Sequence, residues 1–210
     1  MVEVKGYTKI IKRKKVLDNI SYSFEDGMIY GLYGVNGSGK TMLLRAISGL
    51  IKPTDGKVII DGKLLNKDIS FPESIGLIIE NMELIPYLSA EDNLKLLADI
   101  KKIATEDDIK EALNRVGLVS KEKVKTFSLG MKQKLNIAQA IFENPKLLLL
   151  DEPTNALDEK SVDLVHDILS EEKKRGATII MATHNRYDIE DTCDKVLHMV
   201  NGKLEDIVWN

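Results

Sequence analysis

Cysteine occurs once in the 210 residues, at Cys193. One thiol cannot build an internal disulfide framework, and such sparing use fits a reducing compartment. Long hydrophobic runs are absent too. The longest obvious one, 147–150, falls far short of the ~18 residues that span a bilayer. The N-terminus, Met1-Val2-Glu3-Val4-Lys5, lacks the apolar core of a signal peptide. Neither sign of charge dominates: 30 Lys and Arg face 33 Asp and Glu, for a net charge of −3. That balance leaves no electrostatic footprint for nucleic acid. No internal repeat or low-complexity linker breaks the chain. What is present is globular: 43% hydrophobic residues, in a chain long enough to bury about 70% of its unfolded surface without a staple. One domain over residues 1–210 is expected, in a cytoplasmic protein.

Three textures follow one another. Up to Gly62, apolar and polar residues alternate roughly, as at Leu17, Ile20, Tyr22 and Phe24. Glu25-Asp26-Gly27, Asp55-Gly56 and Asp61-Gly62 supply turns. Short strands in an antiparallel sheet are the expectation. A buried strand over 28–33 and a helix over 40–48, stopped by Gly49, sit inside this region. Residues of about 82–142 read as helical. Ser89 and Thr105 open two helices with acidic capping residues, and a third starts near Ser128. Strand and helix then alternate: strand over 147–151, helix over 161–175, strand over 178–183. Asn201-Gly202 marks a closing hairpin. The pattern is α/β with an inserted α-helical subdomain and an antiparallel β subdomain.

Gly34-Val35-Asn36-Gly37-Ser38-Gly39-Lys40-Thr41 matches the phosphate loop, G-x-x-x-x-G-K-[ST]. Its glycines let several N–H groups converge on one anion, and the helix it opens adds a favourable dipole. Lys40 supplies a point charge for the β- and γ-phosphates, and Thr41 a hydroxyl for Mg²⁺. The expected core is therefore that of a phosphate-loop (P-loop) NTPase. Further on, four leucines run into Asp151-Glu152-Pro153. Acids at the carboxyl end of a buried strand lie where open α/β sheets bind ligands. Asp151 is expected to hold Mg²⁺, and Glu152 to act on the attacking water as general base.

Three more segments stand in a fixed order: Ser128-Leu129-Gly130-Met131-Lys132-Gln133-Lys134, then Asn155-Ala156-Leu157-Asp158, then Thr183-His184. Together with the phosphate loop and the acidic strand, they resemble the nucleotide-binding subunit of ATP-binding cassette (ABC) transporters, from Leu17 to about His184. The resemblance implies ATP and Mg²⁺ as ligands. It implies a head-to-tail dimer, of like or unlike ATPase subunits, with two ATP molecules in the interface. Ser128 and Gly130 would contact the γ-phosphate held by the other subunit, and Asp158 would couple the two sites. His184 would contact the γ-phosphate and set the catalytic geometry. The work would pass to a separate integral membrane subunit, with this chain peripheral on the inner face of the cell membrane. An apolar cluster of Met82, Leu84, Ile85 and Tyr87 is the expected docking point.

The chain departs from the family pattern in three places. Leu129 replaces a glycine and Met131 a glutamine in the segment after Phe127. Glu80 stands where the family has a glutamine near Mg²⁺, and still offers an oxygen ligand. Ile11 aligns with the aromatic that stacks on adenine, with Tyr7 as the other candidate. Met131 and Glu80 resemble the antibiotic- and peptide-export branch, including bacitracin-type resistance transporters. The rival reading is a soluble mechanical ATPase acting on an assembly scaffold. The basic run Lys12-Arg13-Lys14-Lys15 reads as a solvated turn, Cys193 as an ordinary thiol, and His166 and His198 show no evident partner.

Overall fold

The computed structural model describes residues 1–79, 84–190 and 192–206. Two sheets carry the fold. The first is antiparallel, order β2-β1-β4-β5, from β1 (Val2–Ile11), β2 (Lys14–Phe24), β4 (Asp55–Ile60) and β5 (Lys63–Leu64). The expected short strands are in fact 10 and 11 residues long in β1 and β2. Bulges keep them paired by absorbing several register shifts. Only half of the basic run forms the turn between them: Lys12 and Arg13 are both at positive φ (47° and 67°), whereas Lys14 and Lys15 begin β2.

The second sheet has the order β10-β9-β3-β8-β7-β6. It comprises β3 (Ile29–Tyr33), β6 (Ile75–Ile78), β7 (Leu147–Asp151), β8 (Thr178–Thr183), β9 (Lys195–Val200) and β10 (Lys203–Asp206). All its pairs are parallel except the β9–β10 hairpin. β3, β7 and β8 are buried nearly throughout, as a parallel sheet covered on both faces requires. Alternation then sorts their side chains. Leu148 and Leu150 join Ile179 and Met181 in one core, beside the helices α2 (Ala90–Lys101), α3 (Glu106–Arg115), α4 (Leu129–Ile141) and α5 (Glu159–Lys174). Leu147 and Leu149 join Leu32 and Ile180 in the other, with α1 (Lys40–Ser48) and the antiparallel sheet. A one-residue slip of β7 would exchange the two sets, so the register is strongly specified.

This is the P-loop NTPase fold, with an antiparallel sheet and an added set of helices. Three helices begin as their sequences indicate, and the one expected over 161–175 starts earlier, at Glu159 behind Asp158. Ser89, Thr105, Ser128 and Asp158 each accept a bond from a backbone N–H in the first turn. Cys193 is inert: burial pushes its thiol up to about 12.

One close contact locks the helical segment to the sheet. A Cβ at Gly76 in β6 would lie 1.9 Å from the Ala140 carbonyl oxygen in α4. Gly76→Ala should therefore lower the unfolding free energy by about 2–3 kcal/mol, the upper part of the range for overpacking. Urea denaturation measures it. A loss below about 0.5 kcal/mol would show that α4 can move off the sheet at little cost.

Candidate active site

The carboxyl ends of β3, β8 and β7 lie side by side, because the strands are neighbours in that order. Residues 34–39 follow β3 and lead into α1. Gly34 is confined by its surroundings: a Cβ there would sit 2.4 Å from the Met199 carbonyl oxygen. Gly39 caps α1 at φ 115°, a conformation that favours glycine, and makes no side-chain cap. The other four helices named above carry side-chain caps, so α1 alone among them presents uncapped N–H groups. Such a terminus suits an anion. Val35, Asn36 and Gly37 are exposed, whereas Ser38 is buried, its Oγ without a hydrogen-bond partner among the described residues.

Lys40 is only 5% exposed. Its Nζ donates to the carbonyls of Gly34 (2.6 Å) and Val35 (3.3 Å), holding the ammonium across the loop. Burial pushes its pKa below the ordinary lysine value, and the carboxylates of Glu152 and Asp151 offset that only in part. A phosphate arriving here meets a cation already stripped of water.

Thr41 Oγ1 donates to Asp151 Oδ2 at 2.7 Å, so β7 and α1 bring two oxygen ligands together. Among the described residues no three His, Cys, Asp or Glu side chains gather into a cage. The Thr–Asp pair fits Mg²⁺, which takes one or two protein oxygens and completes its shell with water and phosphate.

Glu152 leaves β7 at φ 49°, a left-handed conformation that costs a non-glycine residue about 1–2 kcal/mol. Two contacts enforce it. Its N–H donates to Ala182 O at 2.8 Å. Gln133 on α4 donates through Nε2 to the carbonyls of Glu152 (3.3 Å) and Pro153 (2.7 Å). The turn aims the Glu152 side chain at the cleft. Oε1 lies 2.8 Å from His184 Nδ1 and 4.0 Å from Lys40 Nζ. With the carboxylate ionised it can only accept, and the contact then requires the proton on Nδ1. Oε2 is buried with no hydrogen-bond partner among the described residues.

A cavity of about 370 Å³ opens over these groups. Asn36, Gly37, Gly39, Lys40, Asp151 and Glu152 line it. So do Lys14, Lys15 and Val16 from β2, and Asn201 and Gly202 from the β9–β10 turn, which reading the sequence did not assign to the site. Gly202 also donates its N–H to Ser38 O at 2.8 Å and so braces the phosphate loop. The hairpin signal in the sequence marked the turn but not its place. Gln133 lay within a recognised segment without an assigned task.

The adenine candidates separate. Tyr7 is 1% exposed, its hydroxyl donates to Ile51 O at 2.9 Å, and burial pushes its pKa up to about 12. It cannot reach a base. Ile11 is 39% exposed and is the cross-strand partner of Lys14, which lines the cavity; Ile11 itself does not. Ser128 and Gly130 do not line the cavity of their own chain. Ser128 caps α4 by accepting from Met131 N at 3.2 Å, and Leu129 beside it is 74% exposed. Asp158 caps α5, and its bond from Ser161 holds the carboxyl below the usual aspartate value. Glu80 and Met82 lie outside the described residues.

A family model described as ABC transporter matches residues 17–155. The ABC transporter ATP-binding protein YybJ of Bacillus subtilis (strain 168) is 63% identical over 98% of this chain and 95% of its own length. The lantibiotic transport ATP-binding protein SrtF of Streptococcus pyogenes is 35% identical over 97% of this chain and 89% of its own. Among solved structures, dimeric MJ0796, a bacterial ABC transporter cassette, superposes with a TM-score of 0.88 at 25% identity, over the whole of both chains. MJ0796 in a post-hydrolysis state, bound to ADP and Pi, gives 0.87.

Proposed function

The chain belongs to the ABC transporter family as an ATP-binding, ATP-hydrolysing subunit, and on that premise we propose which residues do the work and where it is delivered. Residues 1–210 act as one ATPase domain. The phosphate loop, Gly34 to Thr41, cradles the phosphates of ATP, and Lys40 neutralises charge on the β- and γ-phosphates. Mg²⁺, when bound, spreads the charge of the phosphate oxygens; Thr41 and Asp151 hold it, with Glu80 as a further oxygen donor. Glu152 takes the proton of the attacking water. His184, in contact with its Oε1, holds the carboxylate in place. Ile11 packs on adenine. Ser128 and Gly130 complete the site of a second ATPase subunit across a dimer interface, which is why they stand away from the cleft of their own chain.

The observation that carries this reading is the convergence of Lys40, Asp151 and Glu152 on one cleft beside the uncapped start of α1, with His184 in contact with Glu152. Transport is favoured over the scaffold ATPase because SrtF, similar along most of both chains, bears a transport name. Export of a peptide or antibiotic is the finer reading, supported by SrtF and by Met131 and Glu80. Among the described residues no helix is long and apolar enough to cross a membrane. The pathway therefore belongs to a partner, and this subunit sits against it on the cytoplasmic face.

The contact runs through the loop before α2. Leu84 packs against the core, whereas Ile85 (44% exposed) and Tyr87 (68% exposed) face outward. Buried Asn93 pins the loop: its Oδ1 accepts from Ile85 N at 2.8 Å, and its Nδ2 donates to Ile85 O at 3.1 Å. A loop held by these bonds and offering two exposed apolar side chains suits a docking partner. In detergent extracts, the wild-type subunit should copurify with an integral membrane protein. Ile85→Glu and Tyr87→Asp should lose it while keeping ATP binding and a normal melting temperature. Unfolding of these variants would place the side chains in the core and end the docking proposal.

A further inference from the structure

Asp188 lies beneath the cleft in the short helix α6 (Arg186–Glu190) and is fully buried. Its Oδ2 accepts from two hydroxyls, Thr154 Oγ1 at 2.7 Å and Thr183 Oγ1 at 2.9 Å. Its Oδ1 lies 3.1 Å from His166 Nε2 on α5. Thr154 stands two residues beyond Glu152, and Thr183 immediately precedes His184. One oxygen therefore ties the segment leaving β7 to the end of β8. Thr183 Oγ1 also accepts from Asn185 N at 2.9 Å, which fixes the backbone on the far side of His184. The outer arm is braced in turn. The His166 ring packs 5.6 Å from Tyr187, whose hydroxyl donates to Asp163 at 3.0 Å.

A buried carboxylate is costly unless hydrogen bonds compensate it. Desolvation alone would push the Asp188 pKa up. The bonds from His166, Thr154 and Thr183, with the charge of His166, together hold it below the ordinary aspartate value. The group thus stays ionised as an acceptor-only hub, able to take both hydroxyls on one oxygen. Neither Asp188 nor His166 lines the nucleotide cavity, so any effect on hydrolysis must pass through geometry.

We propose that Asp188 is a positioning residue for ATP hydrolysis: by clamping Thr154 and Thr183 on a single oxygen, it sets the Glu152–His184 pair, with His166 anchoring the clamp to α5. The proposal rests on Glu152 being the general base. A displacement near 1 Å at a reacting group can cost about 10²-fold in rate, so a loosened clamp reads out in kcat.

The test compares purified variants by steady-state ATPase assay, equilibrium ATP binding and thermal unfolding. Asp188→Ala should lower kcat by roughly 10–10²-fold, with KM and ATP affinity within about twofold of wild type. Asp188→Asn keeps an oxygen for both hydroxyls and should recover most of the rate. In a Glu152→Gln background, Asp188→Ala should slow the residual rate by less than about twofold, since no base remains to be positioned. If Asp188→Ala does not fold, Thr183→Val removes one arm at nearly constant volume and should show the same pattern with a smaller loss. An unchanged kcat, or losses that multiply in the double variant beside a slow Glu152→Gln, overturns the proposal alone. Near-normal turnover of Glu152→Gln by itself overturns the base assignment, and the proposal with it.

Discussion

Glu152→Gln should bind ATP almost as wild type does and hydrolyse it about 10²–10⁴-fold more slowly, the range for loss of one general base. The substitution is nearly isosteric. Its amide oxygen can still accept from His184 Nδ1, so the 2.8 Å contact and the left-handed turn at residue 152 have no steric reason to change. What disappears is the carboxylate that takes the proton. Ground-state affinity depends on the phosphate loop and Lys40, which the variant leaves in place. Binding and hydrolysis should therefore come apart, and an ATP-bound dimer should accumulate on a sizing column. Turnover near the wild-type rate would end the assignment of Glu152 as the base.

Lys40→Met should do the opposite and weaken binding itself. The Lys40 ammonium is buried between two loop carbonyls, with a Glu152 carboxylate oxygen 4.0 Å away. Charge-assisted bonds are worth about 1.5–3 kcal/mol each, so ATP affinity should fall roughly 10–10²-fold. Hydrolysis should fall at least about 10²-fold, because the same charge offsets what develops on the γ-phosphate in the transition state. Methionine keeps most of the stem volume and removes a desolvated cation. Without nucleotide, the variant should unfold at the wild-type temperature or slightly above it. Affinity within about twofold of wild type would show that the lysine does not touch the phosphates. A sharp drop in melting temperature without nucleotide would show that its role is structural.

Much of this site is legible along the chain because its parts are local. The loop, the lysine and the threonine occupy eight consecutive positions, 34–41. The helix after them ends at Gly49 as its sequence indicates. The two acids follow directly on the leucines that bury β7. The caps at Ser89, Thr105 and Ser128 depend on residues three apart, and all three form. The strand β6 and the short α6 were harder to read. β6 has four residues and α6 has five, too few to show a period.

Elsewhere only tertiary structure decides. Alternation marked apolar positions of β2, yet Tyr7 in β1 could be taken for a base-stacking aromatic until packing buried it against Ile51. His166 shows no partner in sequence and finds one at Asp188, 22 positions on; Thr154 reaches the same carboxylate across 34. His198, equally mute, stacks on Tyr33. Gln133 meets Pro153 across 20 positions, and Gly202 supports Ser38 from the far end of the chain. The sequence by itself determined the phosphate loop, the acidic strand end and the helix starts, because short-range hydrogen bonds and period-2 or period-3.6 burial leave a local mark. The strand order β3-β8-β7, the cleft it gathers and the clamp beneath it were decided only when distant segments packed, since a contact between far positions leaves no pattern in either segment alone.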